Sequence, residues 1–246
     1  MESSLLVAVI VPCFNEKENI LQLITRVRSA VPQSRIYIVD DASPDGTAQL
    51  VKKRQLQDHR LFLINQAEKG GRGKAVLTGF KQALHQEPFD IFIEMDADLS
   101  HQSSELAALI SSVSTKKIAI ASRYLPQSKI VNWPLRRRFF SWFTNQVLRM
   151  ILPFKLHDYT NGFRAYPTNA VKSMLNQPIK SSSYFVLSET AWILYKSGFK
   201  FVELPSVFVN RSQGKSKTNL KEVIHNFGEL IILVSQKRLP ISKKNT

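Results

Sequence analysis

Residues 5–16, LLVAVIVPCFNE, decide the fold. A continuous apolar run of strand length closed by a polar pair is the pattern of a strand buried on both faces, as in sheets covered by helices on either side. The neighbouring segments agree. Residues 16–31 place Ile20, Leu23, Ile24 and Val27 at helical spacing, and SRIYIVDDAS (34–43) reads as a second strand. DGTAQLVKKRQLQ (45–57) starts a helix after a Pro-Asp-Gly turn, and RLFLINQ (60–66) is a third strand. KGGRGKAVLTGFKQALHQ (69–86) is a glycine-rich loop running into a helix, FDIFIEMD (89–96) a fourth strand, and KIAIASRY (117–124) another. Strands alternating with helices of about 10–15 residues predict an α/β fold, a mostly parallel sheet flanked by helices.

In such sheets the ligand crevice lies beyond the carboxyl ends of the strands. Polar groups gather at those ends: Asn15-Glu16 after the first strand, Asp40-Asp41 after the second, the 70–74 loop after the third, and Asp96 and Asp98 after the fourth. In a strand, residues i and i+2 share a face, so Asp96 and Asp98 together suit one hard divalent cation such as Mg²⁺ or Mn²⁺, which takes one or two carboxylates plus substrate phosphates. The plainer alternative is a solvated turn. Glu94 interrupts the apolar strand on the face of Asp96. Carboxylates at 40 and 41 can receive ribose hydroxyls or a base edge, whereas Asp45-Gly46 is turn chemistry. EKGGRGKAV (68–76) carries glycines and Lys74 at a helix start, as a phosphate cradle does. It lacks the Walker A spacing, and Ala75 stands in place of Ser or Thr. NRSQGKSKTN (210–219), with Arg211, Lys215 and Lys217 around Gly214, is either a cationic loop suited to diphosphate or a solvated surface loop. HDYTNGFRAY (157–166) reads as a turn.

Acid is scarce: 19 Asp+Glu stand against 34 Lys+Arg, a net charge of +15. That balance points to an anionic partner. The single Cys13 excludes an internal disulfide framework and a multi-cysteine zinc site, and fits a reducing compartment. Glu2 and the lack of a basic stretch before the apolar run argue against a signal peptide, and no apolar run reaches a spanning length. In WPLRRRFFSWFTNQVLRMILPF (133–154), Phe140, Phe143, Val147 and Ile151 recur at helical spacing, with Arg138, Ser141, Asn145 and Arg149 on the other face. A basic amphipathic helix with Trp and Phe suits a membrane interface. Leu220, Val223, Ile224, Phe227, Ile231 and Val234 form a second stripe. No nucleic-acid motif appears, and no nucleic-acid partner is expected.

In order, VPCFNE, VDDASPDGT, GGRGKAVLTGF, MDADLSH, SRY, TNGFRAY and RSQGKSK resemble the family 2 glycosyltransferases of GT-A (Rossmann-like) fold. Among these the likeness is to dolichyl-phosphate (polyprenyl-phosphate) mannosyltransferases, over about residues 5–220. The resemblance implies inverting transfer of a hexose, mannose from GDP-mannose, to a polyprenyl or dolichyl phosphate. By that likeness Pro12, Phe14, Glu16, Val39 and Asp41 hold the nucleoside, Asp96 and Asp98 hold Mg²⁺ or Mn²⁺, and the Ala97 backbone lies near the donor. Arg123, Arg211 and Lys217 handle phosphates, with Asp96, Asp98 and Arg123 as the catalytic set. An arginine of residues 136–138, Arg137 by choice, meets the acceptor phosphate. The layout expected is a glycosyltransferase domain over 1–220, including an interfacial segment at 134–154, then an amphipathic helix and basic tail over 221–246. The protein would work as a peripheral enzyme on the cytoplasmic face of a membrane, with room for a membrane-anchoring partner protein. The alternative within the fold is a UDP-sugar donor or a non-lipid hydroxyl acceptor, for which Glu189 is the candidate base. A non-enzymatic basic adaptor is the remote alternative. The chain departs from the family at Asn161, where Ser is usual, at Phe14, where Tyr is frequent, and in GGRGKAV, where the family has a GLGTA type. C-terminal membrane helices of the kind some relatives carry are not expected.

Overall fold

The computed structural model describes residues 5–179, 181 and 185–210. The expectations for Arg211, Lys215, Lys217, the 220–234 stripe and the basic tail lie outside the described residues.

Strand β1 (Val7–Cys13) is buried along its whole length. Its alternate side chains divide between two cores: Val7, Val9 and Val11 join one, Ala8 and Ile10 the other. This two-sided burial is what the unbroken apolar run encodes. Helix α1 (Ile20–Ala30) lays Ile20, Leu23, Ile24 and Val27 on the first face. The helix expected from residue 16 begins at Ile20 because Asn15 takes a left-handed φ of 57° and a turn on the Glu16 carbonyl precedes it. β2 (Arg35–Asp40), α2 (Thr47–Gln55), β3 (Leu61–Asn65), α3 (Arg72–Gln86) and β4 (Ile91–Glu94) follow as the alternation predicts. α3 crosses the second face so closely that a Cβ on Gly79 would run into Ile10 and Val39.

The remaining elements are α4 (Leu106–Ser112), β5 (Lys117–Ser122), β6 (Lys129–Val131), α5 (Leu135–Ile151), β7 (Arg164–Pro167), α6 (Thr168–Leu175), α7 (Val186–Lys196), β8 (Lys200–Pro205) and β9 (Val207–Val209). Among the described residues the main sheet has seven strands in the order β3-β2-β1-β4-β7-β5-β8, and β6 pairs with β9 apart from it. β1 pairs in parallel with both β2 and β4. The chain therefore winds outward through β2 and β3, then returns to the other side of β1. That reversal opens a crevice at the carboxyl ends of β1 and β4.

β7 is antiparallel to both β4 and β5, and it lies in the block expected to be a turn. Its four residues are all buried. Arg164 is tolerated there because its guanidinium donates to the carbonyls of Tyr159, Asn161 and Leu187 at 2.7–2.8 Å. The faces of α5 also differ from expectation. Asn145, expected on the polar face, is buried with Leu148, whereas Phe139, Phe140, Trp142 and Phe143 are exposed. Asn145 earns its place by accepting the Tyr159 amide at 2.7 Å and donating to Thr160 Oγ1 at 3.1 Å.

Candidate active site

Four stretches meet the crevice at the carboxyl ends of β1, β2 and β4. Backbone strain is concentrated there: Asn15, Ala42 and Leu99 hold φ near 60°, a conformation costly for residues other than glycine. Beyond β2, Asp40 accepts the Ser43 amide at 2.9 Å and the Cys13 thiol at 3.4 Å. Burial first, and then the Asp40 charge, push the Cys13 thiol up, which keeps it protonated and unreactive. Asp45 closes the turn through Thr47 and the Lys17 amide.

Asp41 has a different employment. Its Oδ1 accepts the Gly70 amide at 2.7 Å and Gln66 Nε2 at 3.0 Å, and its Oδ2 accepts the Gly71 amide at 2.9 Å. The glycine-rich segment is thus clamped to the end of β2, with Gly71 at φ 86° supplying the turn. One residue earlier, Lys69 Nζ lies 4.2 Å from the centre of the Phe14 ring, a cation–π contact. Pro12 and Val39 have core side chains and are cross-strand partners. Glu16 accepts from Asn19 Nδ2 at 2.8 Å.

Asp96 and Asp98 lie past the end of β4, not within it. The sequence expectation that strand alternation puts them on one face therefore does not apply; they sit in a bend that carries Leu99 at φ 62°. Asp96 is held from two sides. Its Oδ1 accepts from Arg72 Nε at 2.8 Å, and its amide donates to His101 Nδ1 at 3.1 Å. The ring proton of His101 then sits on Nε2, 3.0 Å from Asn161 Oδ1, while Asn161 Nδ2 donates to the Ala121 carbonyl at 2.6 Å. The Asn161 departure thus ties the 96–101 bend to β5. His101 also stacks on Phe163 at 4.9 Å. Burial pushes the Asp96 carboxyl up, but the Arg72 charge, then the adjacent His101, the Arg72 hydrogen bond and the Arg123 charge outweigh this and hold it below the usual carboxylate range. The Asp96 side chain keeps 26% of its surface open, and its Oδ2, which is not the oxygen taken by Arg72, lies 3.8 Å from His101 Nε2. Asp98 Oδ1 accepts the Ser100 amide at 3.1 Å, and Ala97 is buried between the two.

Among the described residues no three His, Cys, Asp or Glu side chains cluster as a complete cation cage. Two hard carboxylates suit Mg²⁺ or Mn²⁺ that draws its other oxygens from diphosphate and water, so the residues present fit such an ion.

The family model for Glycosyl transferase family 2 matches residues 8–175, a span that includes Asp41, Asp96 and Asp98. The chain is a family 2 glycosyltransferase. It is 36% identical over 211 residues to the undecaprenyl-phosphate mannosyltransferase of Micrococcus luteus, covering 86% of each chain. It is 36% identical over 226 residues to the polyprenol monophosphomannose synthase of Mycolicibacterium smegmatis, covering 90% of this chain and 85% of that one. A dolichol-phosphate mannosyltransferase of Pyrococcus furiosus is 34% identical over 224 residues, 88% of this chain and 60% of the relative. In three dimensions, glucosyl-3-phosphoglycerate synthase of Mycobacterium tuberculosis superposes with a TM-score of 0.66 at 16% identity, over 97% of this chain and 83% of that one. The same synthase with Mn²⁺ and UDP-glucose gives 0.65 at 15% identity, over 97% and 81% of the two chains. These likenesses show that the fold is GT-A.

The second half of the glycosyltransferase completes the crevice. Arg123, at the end of β5, is buried and forked onto Asp158: Nε to Oδ2 at 2.7 Å and Nη2 to Oδ1 at 2.8 Å, with a further bond from Nη2 to Thr160 Oγ1. Burial raises the Asp158 carboxyl, but the Arg123 charge and hydrogen bonds reverse this and hold it below its usual range. Asp158 carries no family-independent signal in the sequence and was not among the expected site residues. Arg137 lies 4.2 Å over the Trp133 ring and donates to Asn210 Oδ1 at 3.1 Å, near the start of the RSQGKSK block. Its side chain is only half-exposed, whereas Arg136 and Arg138 are exposed. Glu189, the candidate base, is buried, and its Oε2 accepts the Ser181 amide at 2.8 Å. Among the described residues no helix is long and apolar enough to cross a membrane.

Proposed function

We propose that this glycosyltransferase moves mannose from GDP-mannose to a polyprenyl or dolichyl phosphate, with inversion, at the cytoplasmic surface of a membrane. The observation that carries this reading is the 34–36% identity, over 86–90% of the chain, to relatives named for polyprenol- or dolichol-phosphate mannose synthesis. The chemistry is self-consistent. A phosphate oxygen of the lipid attacks the anomeric carbon, the bond from that carbon to the diphosphate breaks, and GDP departs with the electron pair. A lipid phosphate is already anionic at neutral pH, so no protein base is required, in keeping with a Glu189 held by a backbone amide. Asp96 and Asp98 would hold Mg²⁺ or Mn²⁺, which neutralises charge developing on the departing diphosphate. Arg123, paired with Asp158, would present its guanidinium to the donor phosphates at the floor of the site, and Arg137 with Arg211 and Lys217 would meet the acceptor and donor phosphates. Phe14, Glu16 and Asp41 border the nucleoside, with Pro12 and Val39 shaping the crevice from beneath.

Membrane contact is proposed through α5. Phe139, Phe140, Trp142 and Phe143 are exposed, beside Arg136 and Arg138. Aromatics with flanking cations partition into the interface, and each Lys or Arg near an anionic surface adds about 1 kcal/mol. The excess of cations over the whole chain favours the anionic cytoplasmic leaflet. An anchoring partner protein would use the same aromatic face.

Donor choice is tested by thermal denaturation with Mn²⁺ and a panel of nucleotide sugars. A ligand at a hundredfold excess over its Kd stabilises by about 2.7 kcal/mol. GDP-mannose is expected to raise Tm clearly, and UDP-sugars little. A larger shift with a UDP-sugar would replace mannose with that donor's sugar.

A further inference from the structure

One segment of four residues reaches three parts of the crevice. Lys69 covers the Phe14 ring, the Gly70 and Gly71 amides occupy Asp41, and Arg72 enters the carboxylate cluster at the end of β4. The Arg72 side chain is 10% exposed. Its Nη1 donates to Glu94 Oε1 at 2.6 Å, and its Nε and Nη2 both lie 2.8 Å from Asp96 Oδ1. The other oxygen of Glu94 accepts the Tyr166 hydroxyl at 2.9 Å. Space for the guanidinium is built in, because a Cβ on Gly162 would overlap it. A planar fork bridging two carboxylates is a task for arginine that the point charge of lysine cannot reproduce.

We propose that Arg72 is a positioning residue for the divalent cation: by fixing Asp96 through Oδ1 it leaves Oδ2, 3.8 Å from His101 Nε2, as the oxygen offered to the ion. The inference rests on the reading of Asp96 and Asp98 as cation ligands. One guanidinium thus holds Glu94 and Asp96 together. A carboxylate oriented by its neighbours binds metal better than one free to rotate, and loss of such an orienting partner costs about 10–100-fold in affinity.

The test is an electron paramagnetic resonance titration of free Mn²⁺ with the full chain in the presence of GDP, reading the Kd for the ion without turnover. Arg72→Leu is expected to weaken Mn²⁺ binding by at least about tenfold. Because Arg72→Leu strands the buried Glu94 charge, Glu94→Gln/Arg72→Leu removes that charge while Gln keeps an acceptor for Tyr166. This double variant is expected to stay weak, since the Asp96 carboxylate still lacks the Arg72 contact that fixes Oδ1. Recovery of wild-type Mn²⁺ affinity in the double variant would show that Arg72 only neutralises Glu94, and would overturn the proposal. So would an Arg72→Leu protein that binds Mn²⁺ as tightly as wild type. If wild type with GDP binds no Mn²⁺, the cation reading of Asp96 and Asp98 fails, and this inference with it; that outcome is distinct from a variant matching a binding-competent wild type.

Discussion

Arg123 and Asp158 are a buried pair at the floor of the crevice, 2.7 Å apart at the nearest contact. Removing one partner of such a pair strands the other charge and costs about 3–5 kcal/mol. Asp158→Asn should therefore lower Tm at pH 7 markedly. The sign with pH follows from the depressed Asp158 carboxyl. Its stabilisation is full above the ordinary aspartate range, near pH 4, and is lost as the pH falls through the lower folded value. Wild type should lose Tm more steeply than Asp158→Asn on acidification through this window, so the gap between them narrows. Parallel melting profiles at every pH would contradict the pairing. The sequence displayed Arg123 at a strand end, but nothing local marks Asp158, 35 residues away, as its partner. Asp41 shows the same limit. Its position at the end of β2 was legible, whereas its engagement by the Gly70 and Gly71 amides depends on how a distant loop folds back.

Helix α5 was legible as an amphipathic helix but not in its orientation. Apolar periodicity identifies a stripe without saying what covers it, and here the buried side is marked by Asn145 and Leu148 while four aromatics face outward. Asn145 is buried because it serves the Tyr159 amide and Thr160, a tertiary demand that hydropathy cannot show. If the aromatic face meets lipid, Trp142→Ser/Phe143→Ser should reduce co-flotation with phosphatidylglycerol-containing vesicles by at least about tenfold, or about 1.4 kcal/mol, with Tm nearly unchanged; burying one such ring contributes roughly 1.5–3 kcal/mol. Undiminished flotation would move the membrane contact elsewhere or assign the face to a protein partner. β7 was missed for a related reason. A four-residue strand buried on both faces and containing an arginine has neither alternation nor an apolar run.

At the scale of the molecule, the first four strands and their helices followed from periodicity, and the reversal of strand order around β1 then placed the crevice. Charge told of an anionic partner without naming it. The family match makes the chain a glycosyltransferase, and the site joins two carboxylates past β4 to the buried Arg123–Asp158 pair, while α5 exposes four aromatics. The most direct measurement is transfer of radiolabelled mannose from GDP-mannose to a short polyprenyl phosphate by purified protein, with Mn²⁺ or Mg²⁺ and with chelator, alongside Asp98→Asn. Organic-soluble label that requires the cation and falls about a hundredfold or more in the variant is the predicted result. No transfer to any lipid phosphate from any common nucleotide sugar, under conditions where the protein is folded, would contradict the account.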